Sequence, residues 1–299
     1  MDDLVKKIKE LKKKRNAVIL AHNYQRPEVQ DVADFVGDSL ELSREAAKTG
    51  ADVIVFCGVN FMAETAKILS PEKTVLIPEK DAKCPMAAMI NAEELRALKA
   101  KHPKAKVVCY VNTTAEVKAE CDVCCTSANA AEIVNKIDAD EIIFVPDKYL
   151  AANIKTSKKI IPWQGFCPTH LKIIPGYLKK LKLKYPNAKV VTHPECTPDV
   201  NRLSDAVLST SQMLRFVKKD SAKTFIIGTE VGIIHRMQKE NPGKKFVPAS
   251  DLCVCPNMKM TTLESVYESL KHMRHKMKLD KKIITSAKKP ISKMLNHSA

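Results

Sequence analysis

Short apolar runs, each closing on a polar pair or a proline, recur three times along the chain in the same order. The first of each trio ends in two polar residues one apart: 18–21 before His22 and Tyr24, 107–109 before Tyr110 and Asn112, 190–192 before His193 and Glu195. The second comprises 53–56, 142–145 and 225–228; the third comprises 75–77, 160–161 and 246–247, each leading through a proline to a Cys-Pro dipeptide. Continuous rather than alternating apolar runs predict parallel strands covered on both faces. Segments with helical spacing, such as 39–49 and 127–137, lie between them. The pattern predicts an α/β protein of three pseudo-symmetric, Rossmann-like αβα units around one central site. The units are expected over 1–86, 87–170 and 171–259, with 260–299 packing back on the first. The lysine-rich end from Lys281 reads as partly mobile.

Extended backbone places residues i and i+2 on one side, so each polar pair should face one way. Each pair's first member is followed seventeen residues later by a hydroxyl: Ser39 after His22, Ser127 after Tyr110, Thr210 after His193. These hydroxyls fall at expected helix starts, as caps or as anion-binding groups beside free N–H donors. In open parallel sheets functional groups gather beyond the carboxyl ends of strands. The six paired residues are therefore candidate acid, base and anion-binding groups.

The Cys-Pro dipeptides begin at Cys84, Cys167 and Cys255, spaced 83 residues (84 to 167) and 88 residues (167 to 255) apart. A closed structural metal site takes four protein ligands. Three equivalent thiols instead suggest an open position, and a cubane cluster on three thiolates leaves one iron free as a Lewis acid. Among the other cysteines, Cys57 and Cys109 lie in strand-like runs and read as buried hydrophobes. Cys121, Cys124 and Cys125 form a weak C-x-x-C signal without a matching second pair. Cys196 reads as packing beside the site. Cys253 competes with Cys255, but Val254 follows it where Cys-Pro is required.

Composition narrows the class. With 45% hydrophobic and 28% charged residues and no apolar run of transmembrane length, the chain reads as soluble and globular. The N-terminal MDDLVKKIKELKKKRN is too polar for a secretory signal, so a cytoplasmic location is expected. Ten cysteines in a reducing compartment favour metal or redox chemistry over a disulfide framework. A net charge of +16 raises nucleic-acid binding, but no aromatic-interleaved basic segment or helix-turn-helix pattern accompanies it. Solvated lysine faces, or attraction of small anions, account for the charge without nucleic acid or membrane as partners.

The segments AHNYQRPEVQDVADFVGDSLELS, GVNFMAETAKIL, CPMA, YVNTTAEVKAECDVCCTSANA, GFCPTH, HPEC, STSQM and CPNMKMTTLE resemble, in order and spacing, the motif series of the quinolinate synthases. The resemblance runs from about Ala21 to Glu264, most of the chain. It implies one [4Fe–4S] cluster on Cys84, Cys167 and Cys255. It also implies condensation of iminoaspartate, supplied by an aspartate-oxidising enzyme, with dihydroxyacetone phosphate, to give quinolinate for NAD biosynthesis with loss of phosphate and water. Substrate-site residues carried over are His22, Tyr24, Ser39, Tyr110, Asn112, Ser127, His193, Glu195 and Thr210. Glu195 is expected to be the base, with His193, His22 and Tyr24 as proton donors or orienters. His170 is expected against a substrate phosphate or packed beside the cluster. The competing expectations are another [4Fe–4S] hydro-lyase acting on a hydroxy acid, a zinc-binding structural protein and a basic nucleic-acid binder.

Overall fold

A computed structural model describes residues 2–297. Among the described residues the nine apolar runs and three short edge segments form twelve strands in three four-stranded, all-parallel sheets. The first sheet contains β1 (Ala17–His22), β2 (Phe35–Gly37), β3 (Val53–Cys57) and β4 (Thr74–Leu76), in the order β2-β1-β3-β4. The second contains β5 (Lys106–Tyr110), β6 (Val123–Cys125), β7 (Glu141–Val145) and β8 (Lys159–Pro162), ordered β6-β5-β7-β8. The third contains β9 (Lys189–Thr192), β10 (Ala206–Val207), β11 (Thr224–Gly228) and β12 (Lys245–Pro248), ordered β10-β9-β11-β12. Helices cover the sheets, so the central strands are buried on both faces, as their unbroken apolar runs require.

The short strands β2, β6 and β10 were not evident from hydrophobicity, and the structure shows what recruits them. An aspartate precedes each and reaches back fifteen residues to the neighbouring strand. Asp34 Oδ2 accepts from Ile19 N at 2.8 Å, Asp122 Oδ2 from Val107 N at 2.8 Å and Asp205 Oδ2 from Val190 N at 2.7 Å. The amides of the same aspartates donate to the carbonyls of Ile19, Val107 and Val190. Each clamp thus satisfies both polar groups of one residue at a strand's start.

Helix starts differ from expectation in one detail. Ser39 and Thr210 are the first residues of the helices Ser39–Lys48 and Thr210–Lys219, and the caps are the residues before them. Asp38 accepts from Leu40 N and Glu41 N, and Ser209 accepts from Gln212 N. Ser127 is not at a helix start: the helix is Ala130–Lys136, because Asn129 Oδ1 accepts from Thr126 N at 2.7 Å and holds 126–129 as a turn.

The C-terminal segment is more firmly held than its lysines suggest. The helix Leu263–His272 packs on the helix Asp2–Lys14 and on β3. The helix Lys281–His297 buries Ala287, Pro290, Ile291 and Met294 against β6 and the helices Asn60–Leu69 and Ala115–Ala119, spanning the first two sheets' layers. Its lysines sit on the solvent face of an amphipathic helix. No helix among the described residues is long and apolar enough to cross a membrane.

Candidate active site

The carboxyl ends of the three sheets converge on a cavity of about 690 Å³, within the usual size of a small-molecule site. All twelve residues singled out from the sequence line it: His22, Tyr24, Ser39, Cys84, Tyr110, Asn112, Ser127, Cys167, His193, Glu195, Thr210 and Cys255. His170 lines it too.

The thiols reach the cavity on three copies of one turn. After each Cys-Pro the chain enters a short 3-10 segment, Met86–Met89, His170–Lys172 or Met258–Met260. The turn aims the amides two and three residues ahead at the sulfur: Met86 and Ala87 at Cys84, Thr169 and His170 at Cys167, Asn257 and Met258 at Cys255. Such converging N–H groups favour an anionic sulfur. Burial works the other way and pushes Cys84 up to about 12, with Cys167 and Cys255 also raised. A cation bound there would relieve that conflict, because a coordinating thiol is deprotonated outright. The donor set therefore fits a metal centre held by three sulfurs.

The remaining cysteines lie elsewhere. Cys57, Cys109 and Cys196 are fully buried in the layers. Cys253 is not among the lining residues, and its thiol donates to Thr169 O at 3.4 Å. Cys124 and Cys125 lie in the edge strand β6 and Cys121 just before it, outside the cavity. A second donor group, Cys167, His170 and Glu195, has ligand atoms within 4.8 Å of one another.

Two histidines are set identically. His22 Nδ1 accepts from Tyr24 N at 3.2 Å, and His193 Nδ1 accepts from Glu195 N at 3.3 Å. A neutral imidazole accepting at Nδ1 carries its proton on Nε2. His193 Nε2 accordingly has Ser127 Oγ as its partner at 3.2 Å. Burial lowers both histidines to about 3, a shift opposed in part by Glu195.

Glu195 is 3% exposed. Burial alone would raise its carboxyl, but His170, His193 and the Tyr110 hydroxyl outweigh burial and hold it below the usual carboxylate range. Tyr110 Oη donates to Oε1 at 2.5 Å, and His170 Nδ1 lies 2.9 Å from Oε2. From His170 the network continues: Nε2 meets Thr229 Oγ1 at 2.8 Å, and Thr229 Oγ1 meets Tyr24 Oη at 2.5 Å. Burial and then the negative Glu195 raise both phenols well above their ordinary value. Glu195 and Tyr24 are thus an ionised carboxylate and a protonated phenol, with His170 and Thr229 between them.

Three features escaped the sequence reading: Thr229 and Glu230, which directly follow β11, and Lys259, which follows Cys255 by four residues. The rule that function gathers beyond strand ends would have found the first two. No lysine or arginine lines the cavity among the described residues. The hydroxyl residues Ser39, Thr210 and Ser127 line it, with two helix N-termini behind the first two. Asn23 Nδ2 orients Thr210 Oγ1 at 3.1 Å, and buried Asn112 Oδ1 has no protein partner.

The family described as "Quinolinate synthetase A protein" matches residues 6–296. The chain is 57% identical to "Quinolinate synthase" of Dehalococcoides mccartyi (strain CBDB1) over 291 residues, covering 97% of this chain and 96% of that protein. It is 56% identical to "Quinolinate synthase 1" of Methanosarcina acetivorans, covering 98% and 97%. It is 55% identical to "Quinolinate synthase" of Thermodesulfovibrio yellowstonii, covering 97% of each chain.

Proposed function

Since the chain belongs to the quinolinate synthetase A family of enzymes, we propose that it condenses iminoaspartate with dihydroxyacetone phosphate to quinolinate, releasing phosphate and water. The single observation that carries this reading is the convergence of three thiols, on three copies of one turn, with an ionised carboxylate and a protonated phenol in one cavity. Cys84, Cys167 and Cys255 would hold a [4Fe–4S] cluster, whose open iron supplies Lewis-acid chemistry at a substrate oxygen or nitrogen.

The chain's own residues do the rest. Thr210, Ser39 and Ser127 bind the phosphate and carboxylates through hydroxyls and nearby amides. Glu195 removes the proton that enolises the substrate, with Tyr110 holding its Oε1 in place. Tyr24 donates a proton to a departing hydroxyl, and the path through Thr229 and His170 returns one from Glu195. His22 and His193, neutral with protons on Nε2, orient substrate oxygens. An aspartate-oxidising enzyme would supply the imine, in the cytoplasm. The three units would divide after residues 86 and 170.

Anaerobic assay of the iron-reconstituted protein with both substrates tests the reading. Quinolinate and phosphate should appear in equal amounts. Water loss from a hydroxy acid without phosphate release would instead identify a different hydro-lyase. The mixed donor group of Cys167, His170 and Glu195 favours a second reading, a single zinc ion. Iron, sulfide and zinc analysis with a visible spectrum separates the two.

A further inference from the structure

The third thiol has a support that the equal spacing of the Cys-Pro turns did not reveal. Glu230 is fully buried at the end of β11. Its Oε1 accepts from Cys255 N at 3.2 Å and its Oε2 from Gly232 N at 2.7 Å. Lys259 Nζ lies 2.9 Å from Oε1 and 3.1 Å from Oε2. The same ammonium donates to Tyr24 O, in the loop after β1, and Lys259 O accepts from Arg26 Nε at 2.8 Å. The packing leaves no slack: a Cβ on Gly232 would meet Lys259 Nζ at 2.6 Å, Glu230 Oε2 at 2.8 Å and Gln25 O at 2.9 Å.

A buried carboxylate beside a sulfur that must become anionic is electrostatically unfavourable there. Lys259 offsets the charge, and what remains is geometry: two directed bonds to backbone amides and one ammonium bridging two loops. We propose that Glu230 and Lys259 are positioning residues, a buried latch that fixes the backbone of the Cys255 turn and docks it on the Tyr24 loop. The inference rests on the reading of Cys255 as a metal-holding thiol. It adds that the third ligand and the acid-donating loop are set by one ion pair.

The test uses the full chain, metal-free and reduced, as wild type, Glu230→Ala and the double variant Glu230→Gln/Lys259→Met. The double variant removes both charges while keeping side-chain size, so it should fold where the single variant leaves an unpaired ammonium. Pulse alkylation with iodoacetamide is read at each cysteine by mass spectrometry. Cys255 should react about tenfold faster or more in both variants, the factor expected from one lost charge-assisted hydrogen bond. Cys84 and Cys167 should change by less than about twofold, since their turns do not use the latch. In reconstituted protein, iron loss to a chelator should accelerate by a similar factor. Unchanged Cys255 labelling in a folded double variant, or equal acceleration at all three cysteines, overturns the proposal. Wild type that takes up no iron, with Cys255 alone made reactive in the variants, refutes the functional reading and leaves the positioning role standing.

Discussion

At Glu195 two histidines and a phenol surround a carboxylate that bulk water barely reaches. Glu195→Gln keeps the size and much of the hydrogen bonding but removes the proton acceptor. Turnover should fall by at least about a hundredfold, with iron content unchanged; rapid-quench product analysis beside the visible spectrum checks it. Near-normal turnover would move the base to another residue. The histidines make a separate claim about acid. His22 and His193 refuse protons down to about 3 in the folded chain, whereas unfolded histidine takes one up near 6.5. Between those values the unfolded state binds more protons, so stability falls as pH falls, by about 1.4 kcal/mol per pH unit for each histidine. Urea midpoints of the metal-free protein at pH 7.5, 6.5 and 5.5 should fall mostly across the lower step. His22→Gln should reduce the slope by about one proton's worth; an unchanged slope would show that burial does not hold this histidine neutral.

Elements were legible in the sequence where burial dominates them. The nine strands of the three apolar sets emerge as continuous runs because both faces are covered. The edge strands β2, β6 and β10 left no hydrophobic signature, since two or three residues can be recruited by one aspartate. Asp34, Asp122 and Asp205 do recur, but a carboxylate bonding a strand amide fifteen residues back looks like any surface acid until the pairing is known. Asp122→Ala should therefore cost about 1–2 kcal/mol, near the low end for a bond to a charged group because the site is part-exposed. Chemical denaturation measures it, and a change below about 0.3 kcal/mol would show that the clamp is ornamental to β6. The cysteines follow a parallel logic. Cys255→Ala should abolish stable iron binding, while Cys253→Ala should keep it, because Cys253 points to Thr169 O; the opposite result in reconstituted protein exchanges their roles.

For the molecule as a whole, the threefold arrangement was visible in the order of motifs, and so were twelve of the residues that line the cavity. Contacts between units were not, because no periodicity encodes Thr229 or Lys259 reaching Tyr24. Nor did the lysine-rich C-terminus announce that its helix seals a seam. Ile291, fully buried between the helices of two units, should cost about 2–5 kcal/mol when cut to Ala. A thermal melt checks that, and a shift of less than about 1 °C would mean that the helix is dispensable. The spacing of the three cysteines carries one more consequence. A metal centre gripped by sulfurs at 84, 167 and 255 would be a three-way cross-link closing two stretches of 83 and 88 residues. Chain-entropy reasoning assigns about 4–5 kcal/mol to one permanent closure of that length. Any share realised by reversible ligation would depend on all three bonds persisting together. Loss of any one sulfur would then release slack across more than half the polymer, and the bare chain should exchange backbone hydrogens faster far from the cavity as well as beside it.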